Sequence, residues 1–429
     1  MTLSWLAIVR LGLVQMALGA VVVLTTSTLN RLMVVELALP AVLPGFLIAL
    51  HYGIQITRPK WGFLSDTSGH RTRWIIGGMV ALALGALGAT AGVVLFENSF
   101  ALAMGLSIVA YSLIGVGVGA SGTSLLALLA TATAPHRRAA AATITWLMMI
   151  AGIAITAGTV GSFLDPYTPA LLLRIVLIVT TGAILVTMLA VWGVEGNVCA
   201  PLQTDDTTPF FQGLREVWSE TAARNFTIFV FLSMTAYFMQ ELILEPYAGL
   251  VFGFTPGQST SLSGAQNGGV FLGMLTVGLM ATGLRLGSLR NWVFAGCIGS
   301  AVSLAMISLL GSVPKPVNLT YAVVCLGFFN GMFAVAAIGS MMALAAQGRE
   351  AREGTRMGLW GAAQAVAAGF GGLLGAAAVD VMRLITPNDA TAFGSVFLME
   401  AALFGIAALL ALWVIDHSKG HYMAAVPGE

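Results

Sequence analysis

The sequence predicts an all-α integral membrane protein with twelve transmembrane helices in two six-helix halves and with both termini in the cytoplasm. Hydrophobic residues make up 58% of the 429 residues and charged residues only 9%, whereas about 25% charge is typical of a soluble domain. Twelve apolar segments are long enough to cross a bilayer, and one polar stretch divides them six and six. The net charge of +1 gives no reason to expect nucleic acid as a partner.

The helices are predicted from the length of each apolar run. A bilayer core of about 30 Å needs roughly 20 apolar residues in helical form. The first run follows Arg10 and is too long for a signal-peptide core, so it is expected to remain as the first helix. The predicted spans are residues 11–35, 40–58, 74–96, 101–130, 143–164, 170–193, 226–249, 262–284, 292–311, 318–345, 358–382 and 393–415.

A polar stretch near the middle of the chain predicts the domain organisation. It runs from residue 195 to residue 224, and its second part, 210–223, could form a short helix on the membrane surface. The predicted domains are an N-terminal six-helix bundle over 1–194, a cytoplasmic linker over 195–225 and a C-terminal six-helix bundle over 226–429. In transporters built from two such parallel repeats, the ligand lies between the repeats.

The distribution of basic residues predicts the orientation. With the N-terminus in the cytoplasm, 15 of the 19 Lys and Arg residues fall on the cytoplasmic side. Because cytoplasmic loops carry an excess of Lys and Arg, this bias supports the helix count and places the C-terminus in the cytoplasm too. The four residues on the opposite side are Arg31, Arg174, Lys315 and Arg383.

A charged loop between the second and third predicted helices resembles the signature loop of the major facilitator superfamily, G-x-x-x-D-x-x-G-x-R. Small residues there allow two helix ends to approach closely, and an aspartate can pair with an arginine or cap a helix. We expect the loop to brace the cytoplasmic ends of the bundle as a structural and gating element. Its residues are Gly62, Asp66, Gly69 and Arg71, followed by Arg73.

Polar and ionisable side chains inside membrane helices are functional candidates, because they are costly in lipid. They concentrate near the ends of helices 1 and 7, which are the first helices of the two halves, so we interpret them as a matched pair lining a central cleft. For the arginine and glutamate of helix 1, the alternative is an interfacial position already in water. The candidates are Asn30, Arg31, Glu36, Gln240, Glu241 and Glu245.

His51 is the one histidine inside a predicted membrane helix. It lies near the middle of helix 2, and Gln55 follows one turn later on the same face. A neutral imidazole can ligate a metal or relay protons, although a buried histidine that is hydrogen-bonded to another helix is an equally simple interpretation. In helix 11, Gln364 could contact a ligand or pack against a neighbouring helix.

Sequence motifs of the common hydrolases are absent. The chain has no Walker loop, no G-x-S-x-G elbow and no H-E-x-x-H pair. Its three cysteines, Cys199, Cys297 and Cys325, lack the spacing of a metal site. We therefore expect a protein that is not an enzyme and has no intrinsic cofactor, and any transport would be secondary.

Several segments distributed over almost the whole chain resemble the PucC family, a branch of the major facilitator superfamily found in photosynthetic bacteria. The matching segments are Arg10 to Gln15, Leu29 to Arg31, Val35 to Pro40, Ala49 to Tyr52, Gly117 to Leu129, Arg137 to Met149, Leu244 to Tyr247 and Trp360 to Gln364.

This resemblance implies a membrane assembly factor that binds bacteriochlorophyll, or a late precursor, and delivers it to light-harvesting antenna polypeptides. It implies a location in the bacterial inner membrane, in its cytoplasmic or intracytoplasmic photosynthetic part, with lipid, pigment, antenna polypeptides and a pigment-synthesis enzyme as partners. His51 is then a candidate ligand of the pigment magnesium only. Two alternatives stay open: a proton-coupled transporter of a small amphipathic solute, with Glu241 or Glu36 as the proton carrier, and a pigment-free scaffold for antenna helices.

Overall fold

The computed structural model is all-helical in the residues that it describes, which are 3–58, 61, 64, 70–134, 137–194, 218–283, 286–313, 318–347 and 353–415. In the first part of the chain the long helices are α1 (Trp5–Glu36), α2 (Val42–Ile54), α3 (Arg71–Leu95), α4 (Phe100–Ala132), α5 (Arg138–Phe163) and α6 (Pro169–Val191). In the second part they are α7 (Thr221–Phe252), α8 (Pro256–Val277), α9 (Leu289–Leu310), α10 (Leu319–Gln347), α11 (Glu353–Ile385) and α12 (Asp389–Val414).

Three helices of the described chain depart from regular α geometry: α1, α2 and α8, which continues as a π-helical stretch over Gly278–Gly283. α1 contains π-helical turns at Leu24–Thr28 and Leu32–Glu36, and π turns inside α-helices are frequent at functional sites. α2 is shorter than its predicted span of 40–58, because its α-helical part ends at Ile54 and continues as a 3₁₀ turn over Gln55–Thr57. His51 is therefore near the C-terminal end of α2 rather than near its middle.

Ten helices in the described part of the chain are long and apolar enough to cross a membrane. The two others are α2, which is apolar but short, and α8, whose 22 residues include many Ser, Gly, Gln and Asn. The chain is thus a multi-pass membrane protein, while the count of twelve crossings and the positions of the termini stay predictions.

The helices of the second part pack in the same pairs as those of the first part. In the first part α1 packs on α5 and α6, α3 on α4 and α6, and α2 on α4. In the second part α7 packs on α11 and α12, α9 on α10 and α12, and α8 on α10. The buried apolar side chains correspondingly form two main clusters, one almost entirely from residues 3–194 and the other almost entirely from residues 223–415. We call residues 3–194 and 218–415 the two halves.

Contacts between chain segments define two ends of the bundle. At one end the start of α1 meets the ends of α4 and α6, because Leu3 N donates to Ala132 O at 2.9 Å and Arg10 donates to Trp192 O at 2.7 Å. Arg71 lies at this end, which we call the Arg71 end. At the other end the last residues of α1 meet the connection between α7 and α8, and we call it the Glu36 end.

Candidate functional site

The polar run of α1, which extends from Thr25 to Arg31, is buried. Thr25 and Thr26 donate to the carbonyl of Val22 in the preceding turn, and Tyr111 of α4 donates to Thr25 O at 2.8 Å. The Thr25 and Thr26 hydroxyls are therefore satisfied within the first half, whereas the polar side chains from Ser27 onward bind the second half.

Besides Arg31, three side chains of α1 make hydrogen bonds across the interface between the halves in the described part of the chain. The Ser27 and Ser263 hydroxyls are 3.1 Å apart, and the Thr28 and Thr260 hydroxyls are 3.3 Å apart. Asn30 donates to the carbonyl of Leu242 at 2.7 Å. These bonds join α1 to α8 and α7 near the Glu36 end, so the predicted pairing of helices 1 and 7 corresponds to a direct contact.

Arg31 is buried, with only 2% of its side chain exposed, and it forms an ion pair with Glu36, which is 40% exposed. It also donates to Phe254 O in the second half at 2.8 Å. The alternative that both residues are interfacial is therefore wrong for Arg31 and fits only Glu36. Since a guanidinium presents five donors in a rigid fork, one side chain binds the end of its own helix and the opposite half together.

Glu245 of α7 is 2% exposed, and neither of its carboxylate oxygens has a hydrogen-bond partner among the described residues. Its electrostatic neighbours are Arg31, Ser27 and Ser263. A buried charge without hydrogen bonds is costly, which makes this position a functional candidate beside the ion pair. We call Arg31, Glu36 and Glu245 the Arg31 cluster.

A second group lies one turn further into α7, where Glu241 and Tyr237 are half-buried. Both lie near Tyr52 of α2 in the first half, and the Tyr52 ring makes an edge contact with Phe238 at 5.8 Å between ring centroids. We call Tyr52, Tyr237 and Glu241 the Tyr52 cluster. Because Glu241 and Glu245 are four residues apart on one helix, the two clusters are separated by about 6 Å along its axis.

His51 belongs to a chain of side chains along α2. Its Nε2 atom is 3.0 Å from Gln55 Nε2, and Arg58 in turn donates to Gln55 Oε1. With Gln55 Nε2 as donor, the neutral imidazole accepts through Nε2 and carries its proton on Nδ1, which is buried without a partner in the described part of the chain. The side chain is 1% exposed. In this arrangement the imidazole is closed to any large ligand.

The two remaining amides of the predicted site face different surroundings. Gln240 is buried, and its Oε1 atom accepts no hydrogen bond from any residue that the structure describes. Gln364 of α11 is half-buried, with its Nε2 atom 3.9 Å from the sulfur of Met234 in α7. It therefore lies at the α7–α11 contact within the second half.

The predicted signature loop is only partly described. Gly62, Asp66 and Gly69 lie outside the described residues. Arg71 is buried at the start of α3 and donates to Ala127 O of α4 at 3.3 Å, whereas Arg73 is exposed. Arg71 thus joins the start of α3 to the last turns of α4, while the bracing and gating role of the loop stays a prediction.

Sequence reasoning missed three acidic residues. Asp380 of α11 and Asp165, just after α5, each accept hydrogen bonds from backbone N–H groups of the opposite half. Glu400 of α12 is 0% exposed, and within the described chain both of its carboxylate oxygens lack partners. Asp380 and Glu400 lie inside the predicted spans 358–382 and 393–415, so the charge within an apolar segment was a usable signal for both.

Comparison with known proteins gives matches over nearly the whole chain. Residues 28–419 match the model of a family described as PUCC protein. The chain is 67% identical over 415 residues to the Bacteriochlorophyll synthase 44.5 kDa chain of Rhodobacter capsulatus, with 97% of this chain and 96% of the relative covered. It is 28% identical over 429 residues to Protein PucC of Cereibacter sphaeroides, covering 94% and 91% of the two chains.

Solved structures of transporters share the fold. A bacterial homologue of the human lysosomal transporter Spinster has a TM-score of 0.69 at 14% identity, with 95% of this chain and 96% of that chain covered. A peptide transporter in complex with alafosfalin has a TM-score of 0.68 at 15% identity, with 96% of each chain covered. At such identities the similarity establishes a major-facilitator-like fold and nothing about the ligand.

Proposed function

The chain belongs to the PucC family, and we propose that it is an assembly factor of photosynthetic complexes. In this proposal it binds bacteriochlorophyll, or a late precursor, between its halves and delivers it to light-harvesting antenna polypeptides in the inner membrane. One observation carries the pigment class: 67% identity, over nearly the whole length of both chains, to a protein named for bacteriochlorophyll synthase. The proposed role is binding and delivery rather than catalysis, with a pigment-synthesis enzyme as a partner.

The proposed architecture is twelve crossings in two six-helix halves, with the linker between them and both termini in the cytoplasm. The repeated packing pairs of α1–α6 and α7–α12 support the two halves. The excess of Lys and Arg on the predicted cytoplasmic side supports the orientation. In this orientation the Glu36 end faces the periplasm and the Arg71 end faces the cytoplasm.

The Tyr52 cluster is the proposed pigment contact. Magnesium prefers oxygen ligands such as carboxylates, and Glu241 is a half-buried carboxylate at the interface between the halves. The aromatic rings of Tyr52 and Phe238 beside it offer apolar surface to a macrocycle. His51 meets the chemical requirement of a magnesium ligand, but it is enclosed behind Tyr52 and Gln55. We therefore assign the first contact to Glu241.

Co-purification from a pigment-producing host tests this proposal. The purified protein is expected to carry near-infrared absorbance and a pigment identified by mass spectrometry. Glu241→Gln is expected to lower the pigment content at least several-fold, because an amide is a weaker ligand for magnesium than a carboxylate. Glu97→Gln, at an exposed position in the connection between α3 and α4, is the control.

Two results would contradict it. If the wild-type protein retains antenna polypeptides but no pigment, the scaffold is the correct function. If pigment binds equally well to the wild type and to Glu241→Gln, the assignment of the contact residue is wrong.

A second candidate function is proton-coupled transport of a small amphipathic solute. The buried carboxylate of Glu245 beside Arg31 favours it, because buried carboxylates in membrane helices are frequent proton carriers. Uptake into proteoliposomes driven by a pH gradient, and lost in Glu245→Gln or Glu241→Gln, would support this function. Gradient-driven uptake that both variants retain at the wild-type rate would contradict this function.

A further inference from the structure

Asp380 of α11 binds the first backbone N–H groups of α2. Its Oδ1 atom accepts from Ala41 N at 3.0 Å, and its Oδ2 atom accepts from Val42 N at 2.7 Å. The first N–H groups of a helix have no partner within the helix, and the helix dipole favours negative charge there. A carboxylate of the second half thus completes the N-terminus of a helix of the first half.

Asp165 makes the converse contact. It follows α5 in the first half, and it accepts from Gly257 N at 3.1 Å and from the hydroxyl of Thr255. Thr255 is the N-cap of α8. A carboxylate of the first half therefore binds the N-terminus of a helix of the second half.

The two contacts are equivalent under the repeat of the packing pairs, in which α5 corresponds to α11 and α2 to α8. Each half contributes one carboxylate and one helix N-terminus. Both contacts lie at the Glu36 end, where α2 and α8 begin and where α1 makes its bonds to the second half. Two charge-assisted contacts of opposite direction therefore act on one interface.

Glycines beside the Asp165 contact bring the backbones of α5 and α8 together. A Cβ atom on Gly257 would lie 2.5 Å from Gly161 O, and one on Gly161 would lie 2.5 Å from Ser261 N. Such distances require a displacement of one helix. The close approach of the two helices thus depends on glycine at both positions. This approach places Asp165 at the N-terminus of α8.

We propose that Asp165 and Asp380 are paired latches that hold the two halves together at the Glu36 end. While both carboxylates bind the helix N-termini, a ligand can enter the interface between the halves only from the Arg71 end or from the lipid. Opening of the Glu36 end requires that both carboxylates leave the helix N-termini. This inference concerns the gating of the interface and does not depend on which ligand it binds.

The test is a distance measurement across the Glu36 end. Spin labels are attached to Glu97→Cys, between α3 and α4, and to Ser312→Cys, after α9, in a chain whose native cysteines are replaced. Asp165→Asn and Asp380→Asn retain the size of the side chain but remove its charge. From the strength of charged hydrogen bonds, each is expected to raise the open-to-closed ratio about tenfold, and the double variant about a hundredfold.

Asp389→Asn is the matched control. Asp389 also lies at the Glu36 end, but it pairs with Arg383 of the same half at 2.8 Å, so its loss is expected to leave the distance distribution unchanged. Gly257→Ala is expected to open the Glu36 end without changing any charge, since its methyl group would collide with Asp165 and Gly161.

A disulfide measurement separates opening from misfolding. The Ser27 and Ser263 hydroxyls are 3.1 Å apart, so a Ser27→Cys, Ser263→Cys pair is expected to cross-link on oxidation and to cross-link at least tenfold more slowly when both latches are neutralised. Unchanged distances and unchanged cross-linking in the folded double variant would overturn the proposal. An equal shift in Asp389→Asn would do the same.

Discussion

Two buried ionisable side chains, Arg31 at the interface between the halves and Glu400 in α12, have very different surroundings. Arg31 forms an ion pair with Glu36, donates to Phe254 O and lies near Glu245. Glu400, by contrast, has no hydrogen-bond partner among the residues that the structure describes. Substituting Arg31 leaves its partners without a hydrogen-bond donor, whereas substituting Glu400 leaves no described partner unpaired. Stability measurements can distinguish these two cases.

For Arg31, substitution by Gln is expected to lower the free energy of unfolding by about 1–3 kcal/mol. Breaking a buried pair costs about 3–5 kcal/mol, and the half-exposed position of Glu36 reduces that figure. Thermal unfolding in mild detergent measures the loss. Arg383→Gln, whose partner Asp389 is also partly exposed, is the control and is expected to lose less than about 1 kcal/mol. Equal losses would show that Arg31 acts as an exposed residue.

For Glu400, volume rather than charge is expected to decide stability. Glu400→Gln is expected to be neutral or stabilising, because Gln keeps the size of the side chain and cannot ionise at a position where no described partner compensates a charge. Glu400→Ala is expected to cost about 2 kcal/mol or more through the cavity that it leaves among helices. Melting temperatures of both variants test this. A strongly destabilised Glu400→Gln would indicate that the carboxylate has a structural partner.

At the scale of elements, glycines determine how closely helices approach. A Cβ atom on Gly117 of α4 would lie 2.5 Å from Leu82 N and 2.7 Å from Gly78 O of α3. Both contacts are to backbone atoms, which cannot yield as a flexible side chain would. The α3–α4 pair is therefore specified by small residues on both helices, as is common in membrane proteins.

Gly117→Ala is accordingly expected to destabilise the protein by about 1–3 kcal/mol. Gly105 lies on the same helix, and a Cβ atom there would meet no described atom of a neighbouring element within 4 Å, so Gly105→Ala is expected to be neutral or to stabilise the protein by up to about 1 kcal/mol through helix propensity. Unfolding of the two variants under identical conditions makes the comparison. Similar effects would mean that α4 shifts to accommodate the methyl group.

At the scale of the whole molecule, the orientation of the bundle has a direct test. Reporter fusions after residue 415 are expected to be active only as cytoplasmic reporters, and insertions at Glu97 or Ser312 only as periplasmic reporters. The excess of Lys and Arg at the Arg71 end is the physical reason. With a cytoplasmic N-terminus, a periplasmic C-terminus would require an odd number of crossings. The short helix α2 would then be the one expected not to cross the membrane.

Much of the fold could be predicted because apolar length is a local property. Each of the twelve predicted spans overlaps one of the helices α1 to α12, although α2 is only 13 residues long. Of the site, Asn30, Arg31 and Glu245 were identifiable because polar residues in apolar runs are conspicuous. Their partners were not, since Leu242 O and Phe254 O are backbone atoms that no side-chain pattern reveals.

The sequence by itself determined the membrane class, the helical segments and the resemblance to one family, because composition and motif are properties of the chain alone. Only the tertiary structure decided that Arg31 is buried and that Asp165 and Asp380 bind opposite helix N-termini. These outcomes depend on which helix ends meet across the interface between the halves. Residues more than 90 positions apart form those contacts, and local pattern carries no information about them.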